Sequence, residues 1–241
     1  MAGYKYRGKI GFISPAGDTG GCFERYALLP EGVVLIVTTL AVSRLVPEDF
    51  KKAFAMYPAA AEHLAAQECD VILVAGSLVF THAGTDVSRD LYQTIRESVK
   101  VPVIINLETH LEALRLLSAK KIVIVTPYEE ARTDERKKLC EQAGFEVVNT
   151  KSLGIQRRVE IQQLSPYTSY RMAMQAIHEA PEADAVYLSC PEWPTISIIE
   201  KFEQDTGKLV VSPVAAETRA CLRAMGIHEI TEGYGRLLRT V

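Results

Sequence analysis

Three stretches of this chain recur, in the same order, in its second half. KIGFISP (9–15) returns as KIVIVTP (121–127), an offset of 112. DVILVAG (70–76) returns as DAVYLSC (184–190), an offset of 114. VIINLETHLEALRLLSA (103–119) is echoed by VVSPVAAETRACLRAMG (210–226), where Leu114-Arg115 fall on Leu222-Arg223, an offset of 108. Repeated sequence reports repeated architecture, and this period is far too long for a solenoid. The chain therefore reads as two similar half-structures facing each other. Apolar strands of parallel sheets resemble one another by composition alone, so the order and spacing of all three pairs count for more than any one.

Between the repeats, short apolar runs alternate with helical patterns. Strands are predicted near 8–14, 33–39, 70–75, 102–106, 121–126, 145–150, 184–189 and 209–212. Their Val, Ile and Leu content with little alternation suits strands covered on both faces. Helices are predicted from Pro47 to Gln67 with a bend at Pro58, near 86–99, near 109–119 and over 130–143. Gly144, Gly207 and Gly226 sit where a left-handed helix exit belongs. Ser165-Pro166 is a helix start, a capping hydroxyl followed by proline. This βαβα rhythm means parallel sheets with right-handed crossovers. Segment 9–115 is expected to make one sheet and 121–212 the other. The expected halves are 1–115 plus 213–241, the last helix packing back on the first half, and 116–212.

Composition removes several classes of function. The net charge is −3 over 241 residues, and no Lys/Arg run would track a nucleic-acid backbone. No apolar stretch approaches a membrane span, and the N-terminus lacks a signal-peptide core. Five scattered cysteines without a C-x-x-C pattern argue against a disulfide framework or a thiolate zinc site, and for a reducing cytosol. The histidines form no metal-binding cluster. Nothing excludes an oligomer.

Ligands of open parallel sheets bind beyond the carboxyl ends of the strands. Pro15-Ala16-Gly17-Asp18, Gly76-Ser77, Pro127-Tyr128 and Cys190-Pro191 all fall at such ends, and would converge on one cleft. The repeats differ there at one reactive atom: Gly76 in the first copy, Cys190 in the second. A thiol before a helix opened by Pro194 is expected to have a lowered pKa; a small buried hydrophobe is the equally weighted alternative. Tyr128 and Ser77 offer hydroxyls for an anionic oxygen. GDTGG (17–21) reads as a loop that could offer N–H groups to an anion, with Cys22 beside it, but it has neither P-loop nor dinucleotide spacing. Arg157-Arg158 could clamp a carboxylate, or simply form a solvated charge pair.

KIGFISP, VILVAGS, VTPY (125–128), SLGI (152–155), YLSC (187–190) and GYGRLL (233–238) together resemble the aspartate/glutamate racemase superfamily, in its arylmalonate decarboxylase and maleate cis-trans isomerase branch. The resemblance implies an α/β fold of two Rossmann-like half-domains with parallel sheets, related by a pseudo-two-fold axis, the active site in the cleft between them. It implies that racemases and isomerases carry a cysteine in both copies. The decarboxylases carry glycine in the first and cysteine in the second, the pattern of Gly76 and Cys190. On that pattern Cys190 protonates an enediolate formed by loss of CO₂ from a dicarboxylate small molecule. Ser77, the N–H near Leu78, and Tyr128 bind the retained carboxylate, and Gly76 and Pro15 line the site. No cofactor and no metal are needed.

Three positions depart from the pattern. Pro191 has no N–H, whereas the decarboxylases have glycine there. Asp18 stands where the isomerases have asparagine. Arg158 replaces an apolar pocket residue and suggests a second carboxylate on the substrate. The alternatives are isomerisation with Ser77 or Asp18 standing in for a first thiol, racemisation, and a non-catalytic two-lobed binding protein.

Overall fold

The computed structural model describes residues 6–17, 19–40, 42–44 and 46–240. Within them the elements follow the order β1 (Gly8–Ser14), α1 (Thr19–Leu28), β2 (Val33–Thr39), α2 (Pro47–Ala66), β3 (Val71–Val74), α3 (Ser77–Ala83), α4 (Thr85–Ser98), β4 (Val103–Ile105) and α5 (Asn106–Leu116). The order then restarts with β5 (Lys121–Thr126), α6 (Glu130–Gln142), β6 (Glu146–Ser152), α7 (Arg158–Gln162), α8 (Pro166–Glu179), β7 (Ala185–Leu188), α9 (Ile196–Thr206), β8 (Leu209–Val211) and α10 (Pro213–Ala224). All eight expected strands are present. Both sheets are four-stranded and parallel, with orders β2-β1-β3-β4 and β6-β5-β7-β8.

The duplication extends to individual hydrogen bonds. Ala75 N–H donates to Ile13 O at 3.0 Å, and Ser189 N–H to Val125 O at 2.9 Å. Val42 N–H reaches Pro15 O at 2.8 Å, and Ile155 N–H reaches Pro127 O at 2.9 Å. The leading aspartates explain themselves: Asp70 accepts from Lys9 N–H, and Asp184 from the N–H groups of Lys120 and Lys121. Each carboxylate thus ties the start of a central strand to its neighbour. Both copies of the last repeat leave their helix through a residue with positive φ, Ser118 (56°) and Gly226 (73°). At one the N–H of Ala119 returns to Leu114 O, at the other that of Ile227 to Leu222 O.

Two compact units result. One comprises Met1–Asp18, Leu29–Glu108 and Ala220–His228; the other comprises Thr19–Leu28, Thr109–Arg219 and Glu229–Val241. Where the sequence placed the seam at 115/116 and 212/213, the structure interleaves the segments. The reason lies in buried polar partners: Glu24 and Arg25 of α1 bond to Thr195, Ile196 and Glu217, which are all in the second unit. Each unit has its own core. In the first, Ile13, Ile72 and Val74 pack with Tyr57, Leu64 and Phe80. In the second, Ile124, Val186 and Leu188 pack with Trp193, Phe202 and Ala176. The four residues of β3 and the four of β7 are all buried, as parallel strands covered on both faces should be.

Local expectations held at most helix ends. The Ser165 hydroxyl caps α8, accepting from Tyr167 N–H, with Pro166 in the first turn. Gly207 ends α9 at φ 70°. Pro58 does not end α2, which runs on to Ala66. GDTGG is a correction: the helix begins at Thr19, so Gly20, Gly21 and Cys22 are helical rather than a loop. Gly20 serves close packing, because a Cβ there would stand 3.2 Å from Glu192 O. No helix among the described residues is long and apolar enough to cross a membrane.

Candidate active site

In the second unit, β7 ends at Leu188 and the chain turns sharply. Ser189 is held by Val125 O, and Cys190 N–H bonds back to Leu188 O at 2.9 Å. This two-residue closure is a γ-type turn, and it sends the Cys190 side chain inward, where it is 1% exposed. Residues 191–195 then form an irregular turn before α9.

The thiol departs from expectation. Cys190 is pushed up to about 12, by burial first and then by the charge of Glu192. The expected helix-terminus effect fails for a structural reason. The helix starts at Ile196, not Pro194, and two N–H groups at its start are already taken. Glu24 Oε1 accepts from Thr195 N–H at 2.6 Å and from Ile196 N–H at 3.0 Å. The sulfur nonetheless has donors: the Tyr128 hydroxyl and the N–H groups of Glu192 and Trp193 each favour its ionised form. They lessen the cost of a buried thiolate without overturning it.

Tyr128 is set by the parallel end of β5. Its N–H bonds to Thr126 Oγ1 at 3.2 Å, and Thr126 shares a 2.7 Å hydrogen bond with Thr133 of α6. Gly154 N–H closes on Tyr128 O at 3.0 Å. Burial and the adjoining Cys190 push the phenol well above its ordinary value, so it is a proton-bearing donor at neutral pH.

Arg158 and Glu192 form a partly buried ion pair, with side chains 23% and 19% exposed. Arg157 points elsewhere, to Glu160, and is mostly exposed. The two arginines therefore part company. One is a surface pair and the other is pinned to the residue whose charge acts on the thiol. Pro191, half-buried, contributes no N–H, so the donors of this turn are those of its two successors.

The first unit presents the other strand end. Gly76 has φ 121°, a value that L side chains rarely adopt, and opens α3. A Cβ at this position would overlap the Tyr57 hydroxyl and approach Pro15 Cγ to 3.4 Å. That hydroxyl is fully buried and donates to Ala75 O at 2.6 Å, so it has little freedom to retreat. Pro15, Gly76, Ser77 and Leu78 thus gather at one strand end, each half-buried. Asp18 lies outside the described residues.

Tyr57 was not found from sequence, since an aromatic on the apolar face of α2 reads as ordinary core. Glu192 and Trp193 stood beside the cysteine, but nothing in their spacing says that their N–H groups turn back to the sulfur. Among the described residues, no cluster of three or more His, Cys, Asp or Glu side chains could hold a metal.

The arylmalonate decarboxylase family model matches residues 10–238. The chain belongs to that family. Relatives of this arylmalonate decarboxylase family member carry two names. A maleate isomerase of Pseudomonas putida is 26% identical over 95% of this chain and 96% of its own length. The arylmalonate decarboxylase of Bordetella bronchiseptica is 24% identical over 84% and 85%. A solved structure of a cysteine-to-serine variant of Nocardia farcinica maleate cis-trans isomerase, with a covalently bound succinylcysteine intermediate, superposes with a TM-score of 0.85 at 23% identity. It covers 96% of this chain and 98% of that one. The family fold, two four-stranded parallel α/β sheets, is therefore this chain's fold.

Proposed function

We propose that this protein is a cofactor-independent decarboxylase of a substituted malonate-like dicarboxylate, with Cys190 as the single proton donor. The observation that carries the reading is the state of the thiol. It is buried, protonated at neutral pH and surrounded by donors that can receive the thiolate. The thiolate is the attacking form of cysteine, so a thiol held up to about 12 suits proton donation better than nucleophilic attack.

The steps balance without an added reagent. The bond between the α-carbon and one carboxylate breaks, CO₂ leaves, and the electron pair spreads over the remaining carboxylate as an enediolate. The Cys190 S–H gives its proton to one face of that carbon. Tyr128 O–H and the N–H groups of Glu192 and Trp193 hold the resulting thiolate, which takes a proton from solvent before the next cycle. Ser77, the Leu78 N–H and Tyr128 are the carboxylate donors that the family resemblance implies; the Tyr128 hydroxyl, which acts on the sulfur, is assigned to the thiolate in this reading. Gly76 supports protonation from one side only, because its backbone and the Tyr57 hydroxyl leave no place for a side chain. The charge of Arg158 is met by Glu192, so the substituent need not be a further carboxylate, as the sequence alone suggested.

The maleate isomerase relatives favour a second reading, cis-trans isomerisation of a small dicarboxylate. It would need a group other than a thiol at the first strand end. One experiment separates the two. Purified protein is given arylmalonates, alkylmalonates and maleate after chelator treatment. Release of CO₂ that falls at least about 10²-fold in Cys190→Ala is the expected result, the scale of one general acid. Conversion of maleate without CO₂ would replace this reading by the second. Decarboxylation undiminished in Cys190→Ala would remove the assigned donor.

A further inference from the structure

Behind the thiol, and unused by the chemistry above, the second unit buries a file of polar side chains. Arg25 of α1 is paired with Glu217 of α10. Glu217 Oε1 lies 2.9 Å from His110 Nε2 on α5, and His110 Nδ1 lies 2.8 Å from the Tyr187 hydroxyl on β7. The Ser189 side chain, one residue before Cys190, acts on that hydroxyl and lowers its pKa against the effect of burial. All five are at most 3% exposed. Arg136 and Cys140 of α6 also face the Tyr187 hydroxyl.

The direction of every bond in the file follows from charge. Burial would raise Glu217, but Arg25 and His110 outweigh it and hold it below the usual carboxylate range. Burial lowers His110 more than Glu217 raises it, so the ring is neutral. A carboxylate can only accept, so His110 Nε2 carries the proton and Nδ1 accepts from Tyr187 O–H. The Tyr187 oxygen, its proton spent, is left as an acceptor, and Ser189 acts on it in the sense of a donor. The polarity therefore runs one way, from Ser189 to Glu217, and ends on a guanidinium that does not give up a proton. Such a file is poorly suited to shuttling protons and well suited to fixing geometry.

We propose that Tyr187 and His110 are positioning residues for the Cys190 thiol, anchoring through Ser189 the γ-turn that presents the sulfur to Tyr128 and to the N–H groups of residues 192 and 193. The inference rests on the reading of Cys190 as proton donor and deepens it, and the labelling arm of its test needs no substrate. In a buried polar network one missing member leaves its neighbours unpaired and loosens the geometry they share.

The test uses Tyr187→Phe and Ser189→Ala, which remove single oxygens, with Ser189→Thr as the conservative variant. Alkylation by iodoacetamide is followed by peptide mass spectrometry. In both deletions Cys190 labelling is expected to accelerate at least tenfold while Cys69, buried in the core of the first unit, stays protected, and Ser189→Thr is expected to restore the slow rate. Turnover of the best malonate should fall at least tenfold in kcat with KM unchanged. Equal acceleration at Cys69 and Cys190 would mean general loosening and would overturn the proposal. So would unchanged Cys190 labelling in both deletions. If no dicarboxylate is turned over by the unaltered protein, the functional reading fails while the labelling result still decides the positioning role.

Discussion

At the scale of residues, two positions bear most on the proposed chemistry. Gly76 combines a positive φ with a neighbour, the Tyr57 hydroxyl, that occupies the space of a Cβ. Gly76→Ala is therefore expected to lower stability by about 2 kcal/mol or more, from backbone strain and overpacking together, measured by denaturant unfolding. Tyr57→Phe, which only unpairs Ala75 O, is expected to lower it by about 1 kcal/mol. Glu192 is the second such position. Its charge raises the Cys190 pKa, after burial. Glu192→Gln is expected to shift the pH profile of Cys190 alkylation to lower pH, and an unmoved or upward-shifted profile would contradict this electrostatic role. The presence of Cys190, and of glycine opposite it in the repeat, was plain in the sequence. The protonation state was not, because a raised thiol pKa depends on burial and on which groups already occupy a helix terminus. Neither property is written locally in the chain.

At the scale of elements, the strands were legible because buried parallel strands are continuous apolar runs, as VILV and AVYL show. Capped helix ends were legible for the same local reason, as at Ser165-Pro166. The start of α9 was misread, since Pro194 signals a helix but Glu24, distant in sequence, provides the acceptor that begins it at Ile196. GDTGG was misread because glycines on a helix can serve close approach as well as turns. Glu24→Ala should leave two buried N–H groups without their acceptor and cost about 1–3 kcal/mol, measured by thermal or denaturant unfolding. If stability is unchanged, the α1–α9 tie is not a support of the fold.

At the scale of the whole molecule, buried acids give a pH dependence with a definite sign. Cys190 rises from 9.0 to about 12, Cys140 from 9.0 to about 11, and Tyr187 from 10.0 to about 12, each chiefly through burial. A raised folded-state pKa means that the unfolded chain ionises first. The stabilisation is thus whole below about pH 9 and is lost as pH climbs through these values. Unfolding free energy is expected to fall steadily between about pH 9 and 12, and the fall should be shallower in Cys140→Ala. A flat alkaline profile in the unaltered protein would contradict the burial of these groups. The repeat itself, seen as three sequence echoes, proved to be two sheets of identical strand order. Its interleaved seam was hidden, because the partners of α1 are buried polar groups that no periodicity announces. Gly76 and Tyr57 lock each other: a thiol introduced first at 76 meets the phenol, and a phenol trimmed first leaves Ala75 O bereft of its donor. Either order passes through a handicapped intermediate, so a second thiol at this strand end is expected to need two coordinated substitutions rather than one.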